Sequence, residues 1–259
     1  MSSTDERLKR QLLALKLHQI VEHYSEVATQ AAKAGMSHVD YLARLIEAES
    51  LARDQRALER RLAAARFPVL KTLEGFNWQW PKKINRPQVQ NLFRLAFVPA
   101  RSNVIFLGGV GIGKTHLATA LGHAAVVAGH TVRFAGAIDI INTLMAAQAD
   151  RRLKIELQKL VRPAVLVIDE LGYLPIDKVG ADLLFQVISQ RYERGSTILT
   201  TNQPFKSWAK VFNNDATLAS AVLDRLLHHA ETVVMEGKSY RMKDQLEAAE
   251  AAEVPGTKP

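Results

Sequence analysis

The stretch NVIFLGGVGIGKT, residues 103–115, decides how the rest of the chain is read. Residues 103–107 are a short run rich in β-branched and aromatic types, predicted to be a strand. Residues 108–115 complete a G-x-x-x-x-G-K-[ST] phosphate-loop pattern. Gly108, Gly109, Gly111 and Gly113 allow turns that a Cβ would block, so successive N–H groups, those of Val110 and Ile112 included, can face phosphate oxygens. Lys114 adds a point charge at the β- and γ-phosphates, and Thr115 a hydroxyl for Mg²⁺. A helix over residues 114–128 places its positive end beneath the phosphates. His116, on the first turn of that helix, is counted with the nucleotide loop as a packing or capping residue. The expected cofactors are ATP and Mg²⁺.

From residue 103 onward, strands and helices alternate. Further strands are predicted at residues 131–135, 164–169, 197–201 and 232–236, so the fold class is α/β, a parallel five-stranded sheet with helices on both faces. Two helical stretches, 138–149 and 153–160, separate the second and third strands, more helix than one crossover requires. VLVIDE, residues 165–170, is four apolar residues followed by two carboxylates, as expected of a buried strand whose acids emerge at its carboxyl end. A neighbouring strand would bring Asp169 beside the phosphate loop as a Mg²⁺ ligand, directly or through water. Glu170, one residue further, is the candidate general base. STILTTN, residues 196–202, ends in Asn202, which either orients the attacking water from the adjacent strand or serves as a turn former before Gln203-Pro204.

The helical pattern of residues 4–34 stops at Gly35, and a second helix starts at Ser37, with Asp40 completing a capping box, and runs to Phe67-Pro68. This predicts an N-terminal helical hairpin over residues 1–66. Arg53, Arg56, Arg60 and Arg61 gather on one side of its second helix, either as a solvated face or as a docking surface. Residues 67–101 read as a basic aromatic linker, 102–247 as the nucleotide-binding domain, and 248–259 as a disordered tail.

Lys and Arg number 34 against 26 Asp and Glu, a net charge of +8. Of this, residues 67–101 alone contribute +5, with six basic residues and one acid. A surplus concentrated in a connecting segment points to a polyanion contact. Phe76, Trp78 and Trp80 in that segment can stack on nucleic acid or cement the linker to the core. The adjacent Lys82, Lys83 and Arg86 are read as DNA contacts. Residues 151–162, with five basic residues and one acid, form a second patch whose Arg151, Arg152 and Lys154 are assigned to DNA. With no cysteine, the chain has no disulfide and no thiolate metal site. Adjacent His228 and His229 on a helix would point about 100° apart and chelate poorly. The charged N-terminus and the absence of an 18-residue apolar run predict a cytoplasmic protein without signal peptide or membrane span.

GGVGIGKTHLATALG, VLVIDELGYLP, FQVISQRYERGSTILTTNQPF, VLDRLLHHA and GKSYRMK resemble the IstB family, AAA+ ATPase helpers of bacterial insertion-sequence transposition related to the DnaC helicase loaders. Val110 and Ile112 stand where relatives often carry Pro and Thr. The resemblance implies ATP hydrolysis, a homo-oligomer with ATP between subunits, duplex DNA and a cognate transposase as partners, and Arg225 of VLDRLL as an arginine acting in trans. Arg225 read from its own neighbours alone is a surface residue that could pair with Asp224 or Glu231. Arg241 in SYRMK resembles the second sensor arginine, although only 23 residues follow residue 236, so the helical lid is expected to be reduced or absent. A helicase loader of the DnaC type is the alternative function, distinguished by a preference for single strands.

Overall fold

The computed structural model describes residues 3–240, which divide between two compact units, Met1–Arg60 and Arg61–Pro259. Arg241 and the tail beyond it lie outside the described residues.

The first unit begins with three helices in place of the expected hairpin: α1 (Ser3–Ala14), α2 (His18–Ala34) and the start of α3 (His38–Ala65). The segment read as one helix breaks at Lys16, which is left-handed at φ 58°. The amide of Leu17 donates to Leu12 O and that of Lys16 to Leu13 O, a pair of bonds that closes a helix end. Apolar periodicity alone does not reveal this break, because the spacing continues across it. At the other predicted boundaries the chemistry matches: Gly35 is left-handed at φ 62°, and the Ser37 hydroxyl accepts from the Asp40 amide at 3.1 Å.

Glu49 on α3 is 3% exposed and accepts hydrogen bonds from the amides of Gln19 (2.7 Å) and Ile20 (3.3 Å), at the open end of α2, and from Arg56 (3.0 Å). It thus caps α2 from another helix. Burial works against its ionised form, but the amides of Ile20 and Gln19 and the Arg56 guanidinium outweigh it and hold the carboxyl below its usual range. A carboxylate with a depressed folded pKa contributes stability in full above its unfolded value and loses it as pH falls through the folded one. Glu49→Gln is expected to destabilise this unit by about 1–2 kcal/mol at pH 7, the typical value of a lost cap. The difference from wild type should vanish in denaturation curves recorded below the carboxylate range.

The second unit is built on five parallel strands: β1 (Asn103–Gly108), β2 (Val132–Gly136), β3 (Val165–Leu171), β4 (Ser196–Thr201) and β5 (Ala230–Met235), in the order β2-β3-β4-β1-β5. Helix α4 (Arg86–Leu92) precedes the sheet, and α5 (Lys114–Val127), α6 (Ala137–Ala149), α7 (Leu153–Val161), α8 (Lys178–Arg191), α9 (Trp208–Val211) and α10 (Ala216–Leu227) connect or follow its strands. Ile105, Leu166, Ile168 and Leu199 join a core with residues of α6 to α10. Their neighbours Val104, Phe106, Val165, Val167 and Ile198 are equally buried but belong to the other face, where Val167 meets α5 at Gly122. Both faces being covered explains why β1 and β3 read as continuous apolar runs.

The strand order corrects one expectation. β3 does not neighbour β1, because β4 lies between them. All six residues of β4 are buried although four are Ser or Thr. Their polar atoms are used: Ser196 Oγ donates to Phe97 O (3.0 Å), and the Thr197 amide donates to Asn103 Oδ1 (2.9 Å). Residues 67–101 are packed rather than extended, with Phe76, Val89, Leu92, Phe97 and Val98 all buried. No described helix is long and apolar enough to cross a membrane.

Candidate functional site

The carboxyl ends of β1, β3 and β4 converge on the loop at residues 108–113. Gly111 (φ 74°) and Gly113 (φ 96°) are left-handed, and a Cβ on Gly113 would stand 2.7 Å from the Phe76 ring. The pattern therefore needs glycine there for backbone shape and for close approach. Val110 is exposed, whereas Ile112 is buried and anchors the loop. Lys114 is 4% exposed and donates from Nζ to Gly109 O (2.5 Å) and to the Tyr173 hydroxyl (3.3 Å). These residues open on a cleft of about 570 Å³ whose lining includes Gly111, Lys114, Thr115, His116, Glu170 and Tyr173.

Asp169 reaches the loop across one intervening strand. Its Oδ1 accepts from Thr115 Oγ1 at 3.0 Å and from Thr200 Oγ1 at 2.5 Å. Thr200, on β4, is the residue that the strand order demands and that sequence reading missed. Its hydroxyl, two residues before Asn202 on the same predicted strand, is the available signal. Thr200 Oγ1 also accepts the Glu170 amide at 2.9 Å. Glu170 itself is left-handed at φ 61°, where the pairing of β3 with β4 shifts register between Ile168 and Leu171. That conformation is unfavourable for a residue with a Cβ, by about 1–2 kcal/mol, and persists where neighbours hold it. The bulge separates the two acids: Asp169 is buried under the loop and Glu170 is exposed at the cleft. Asn202 follows β4 directly, and its Oδ1 is buried with no hydrogen-bond partner.

The aromatic segment closes this cleft from one side. Phe76 stands edge-on to Trp78 and to His116, and His116 Nε2 meets Thr72 O at 2.8 Å, so His116 acts in packing. Lys83 and Glu236 exchange both backbone hydrogen bonds (3.1 and 3.0 Å), and Trp80 Nε1 donates to Lys238 O at 2.8 Å. The amide of Tyr240, edge-on to Trp80, donates to Gly111 O at 2.8 Å. The strap and the segment after β5 thus grip each other and the phosphate loop. Arg86 sits over Trp78 at 4.9 Å, Lys83 pairs with Glu236 at 3.2 Å, and Lys82 is exposed.

The other predicted residues lie elsewhere. Arg151, Arg152 and Lys154 are exposed between α6 and the first turn of α7, with Arg152 paired to Asp150 at 2.7 Å. Arg225 on α10 donates to Ala221 O (2.9 Å) and stacks over Phe185 (4.9 Å), not on Asp224 or Glu231. It does not line the phosphate-loop cleft. The His228 and His229 rings do not diverge: their centroids are 4.1 Å apart, and with exposed Glu193 they bring three ligand atoms within 4.8 Å of one another. The helical angle does not apply, because α10 ends at Leu227.

The IstB-like ATP binding protein family model matches residues 10–248, a span that includes the loop, Thr115, Asp169 and Thr200. The chain belongs to that family. It is 44% identical over 237 residues to the insertion sequence IS21 ATP-binding protein of Pseudomonas aeruginosa, covering 92% of this chain and 89% of that one. It is 39% identical over 244 residues to the IS232 ATP-binding protein of Bacillus thuringiensis subsp. berliner, covering 94% and 97%. Among solved structures, the fold is similar to a DnaC helicase loader (22% identity, TM-score 0.52, 64% of this chain and 96% of that one). It is also similar to the replication initiator DnaA bound to AMPPCP and single-stranded DNA (21%, TM-score 0.53, 72% and 56%). The fold of this IstB-like chain is accordingly AAA+.

Proposed function

We propose that this IstB-like protein is an ATP-hydrolysing regulator of insertion-sequence transposition that assembles on duplex DNA, with ATP between subunits, and recruits or activates the transposase. The observation that carries the hydrolytic part is the division of labour between Asp169, buried and bonded to Thr115 and Thr200, and Glu170, turned out into the cleft. The residues fit Mg·ATP: left-handed Gly111 and Gly113 shape a phosphate cradle, Thr115 and Asp169 present adjacent oxygens for the metal, and Asn202 Oδ1 lacks a partner. Bound Mg·ATP supplies the phosphoanhydride and the charge that polarises it. Lys114 neutralises phosphate oxygens, the Glu170 carboxylate takes a proton from the attacking water, and Asn202 orients that water.

Arg225 has no acid partner among the described residues and lies away from its own subunit's cleft, which supports a role on a neighbouring subunit's γ-phosphate. The DNA part is supported by the net charge of +8 and by exposed Lys82, Arg151, Arg152 and Lys154, with Lys83 and Arg86 beside them. The insertion-sequence names of the relatives support the transposase as partner.

Arg225→Ala is expected to lower ATP turnover by about 10³-fold or more with nucleotide binding retained, the scale of a lost arginine finger. Mixing Arg225→Ala with Glu170→Gln subunits should restore turnover, because each supplies what the other lacks across an interface. A mixture no more active than its two components would rule out completion of the site in trans.

A further inference from the structure

On the outer edge of the sheet lies a second cleft, of about 330 Å³, which shares only Pro68 with the lining of the phosphate-loop cleft. Arg133 enters it from β2, an edge strand, and Arg66 lines it as well. Among the described residues neither guanidinium forms an ion pair, and the Arg133 Nε–H is buried with no acceptor. Burial and the neighbouring Arg66 cation push the Arg133 pKa below its ordinary value, with Glu156 acting in the opposite direction.

Two acids also line the cleft, and each is engaged. Glu156 pairs with Lys159 at 2.7 Å. The Asp139 carboxylate lies over Gly136 at the start of α6, where a Cβ on that glycine would be 2.9 Å from Oδ2, and there it complements the positive helix end. The cleft thus holds three cations, Arg66, Arg133 and Lys159, against two acids, with neither guanidinium in an ion pair and one buried donor without an acceptor. A single oxyanion relieves both conditions: its charge separates the like cations, and its oxygens match the guanidinium fork. The same α6–α7 crossover that walls the cleft also carries exposed Arg151, Arg152 and Lys154, outside the cleft lining.

We infer that the Arg66–Arg133 cleft is a phosphate-binding site, separate from the nucleotide loop, that takes one backbone phosphodiester of bound nucleic acid. The nucleic-acid part rests on the DNA reading above; an inorganic phosphate would share the chemistry.

The first test uses the full chain, inorganic phosphate as the probe, and the arginine Nε–H resonances in ¹H–¹⁵N spectra. The Arg133 signal, identified by its absence in Arg133→Lys, is expected to shift saturably with phosphate in wild type and to lose that shift in Arg66→Gln, a change at an exposed residue. A wild-type signal that does not move overturns the site. The second test is duplex DNA binding across a salt series, where Arg133→Gln should reduce the slope of log K against log salt by about 1, the loss of one phosphate contact. An unchanged slope alongside an intact phosphate response overturns the phosphodiester assignment and leaves inorganic phosphate as the ligand. Absence of duplex binding by wild type overturns the DNA reading instead, and the resonance shift still decides the cleft.

Discussion

Glu170→Gln is expected to reduce steady-state ATP turnover by about 10²–10⁴-fold, the usual contribution of a positioned general base, while ATP still binds. The two effects separate because different residues carry them. In the proposed mechanism Lys114 and the left-handed glycines form the phosphate cradle, and Thr115 and Asp169 the metal-facing pair; none of their hydrogen bonds passes through the Glu170 side chain. Gln keeps the size of Glu but cannot take a proton. The left-handed backbone at φ 61°, steadied by the Thr200 hydroxyl on the Glu170 amide, marks this residue as held in place against its preference. Measuring phosphate release beside nucleotide affinity on the same preparation checks the expectation. Unchanged turnover would remove Glu170 from the mechanism as general base, whereas no turnover by wild type would leave a nucleotide-gated scaffold.

Arg191→Met should show the largest loss of stability of any single change considered, about 4 kcal/mol or more, at the exceptional end for point substitutions. Arg191 is 2% exposed and has no carboxylate partner. Burial pushes its pKa down to about 10, which still leaves it charged at pH 7. Its charge is met by carbonyls: Leu160 (2.9 Å) and Val161 (3.1 Å) at the negative end of α7, Pro163 (2.9 Å) and Ala164 (3.4 Å) ahead of β3, and Ser196 (2.5 Å) at the start of β4. Nε donates to Thr197 Oγ1 at 3.3 Å. One guanidinium therefore ties together the amino ends of the two strands whose carboxyl ends present Asp169 and Asn202. Methionine fills much of the volume but removes the donor from these acceptors, of which Ala164 O keeps a backbone partner, the Ser196 amide; each buried acceptor left alone is unfavourable by about 1–3 kcal/mol before relaxation. Lysine keeps the charge but cannot span so many acceptors, so Arg191→Lys should lie between wild type and Arg191→Met. Urea denaturation reads the difference. A loss under about 1 kcal/mol, the range of ordinary substitutions, would mean that water replaces the clamp.

Much of this site is visible in the sequence because its chemistry is local. The phosphate loop lies within eight residues, and Gly111 and Gly113 take the left-handed shapes that favour glycine, although Gly109 does not. Strand existence is legible too, since β1 and β3, buried on both faces, are continuous apolar runs and β4 is rich in β-branched residues. Strand order is not. Nothing in VLVIDE or STILTT says which one neighbours β1, so the polar character of β4 looked unremarkable until the order placed Thr200 between Asp169 and the Glu170 amide. Arg191 goes unnoticed, and Glu49 reads as a solvated counter-charge to the arginine face although it is buried, for a related reason. Their acceptors or donors are main-chain groups at the ends of other elements, and backbone carries no sequence signature. The break at Lys16 escaped because a left-handed lysine has none of glycine's warning value. The closed strap was one of two open readings of Phe76, Trp78 and Trp80, and contacts with Gly113, His116 and residues 238–240 favour it.

The central claim is that nucleotide at the 108–115 loop controls assembly on duplex DNA. Its most direct measurement is duplex binding by the full chain with ATP, ADP or no nucleotide, across a salt series, beside single-stranded DNA and with Lys114→Ala as control. Tight duplex binding with ATP alone, weakening steeply with salt and lost in Lys114→Ala, is the expected result. Equal binding in all nucleotide states, or binding unaffected by Lys114→Ala, would contradict it, and a preference for single strands would favour helicase loading instead.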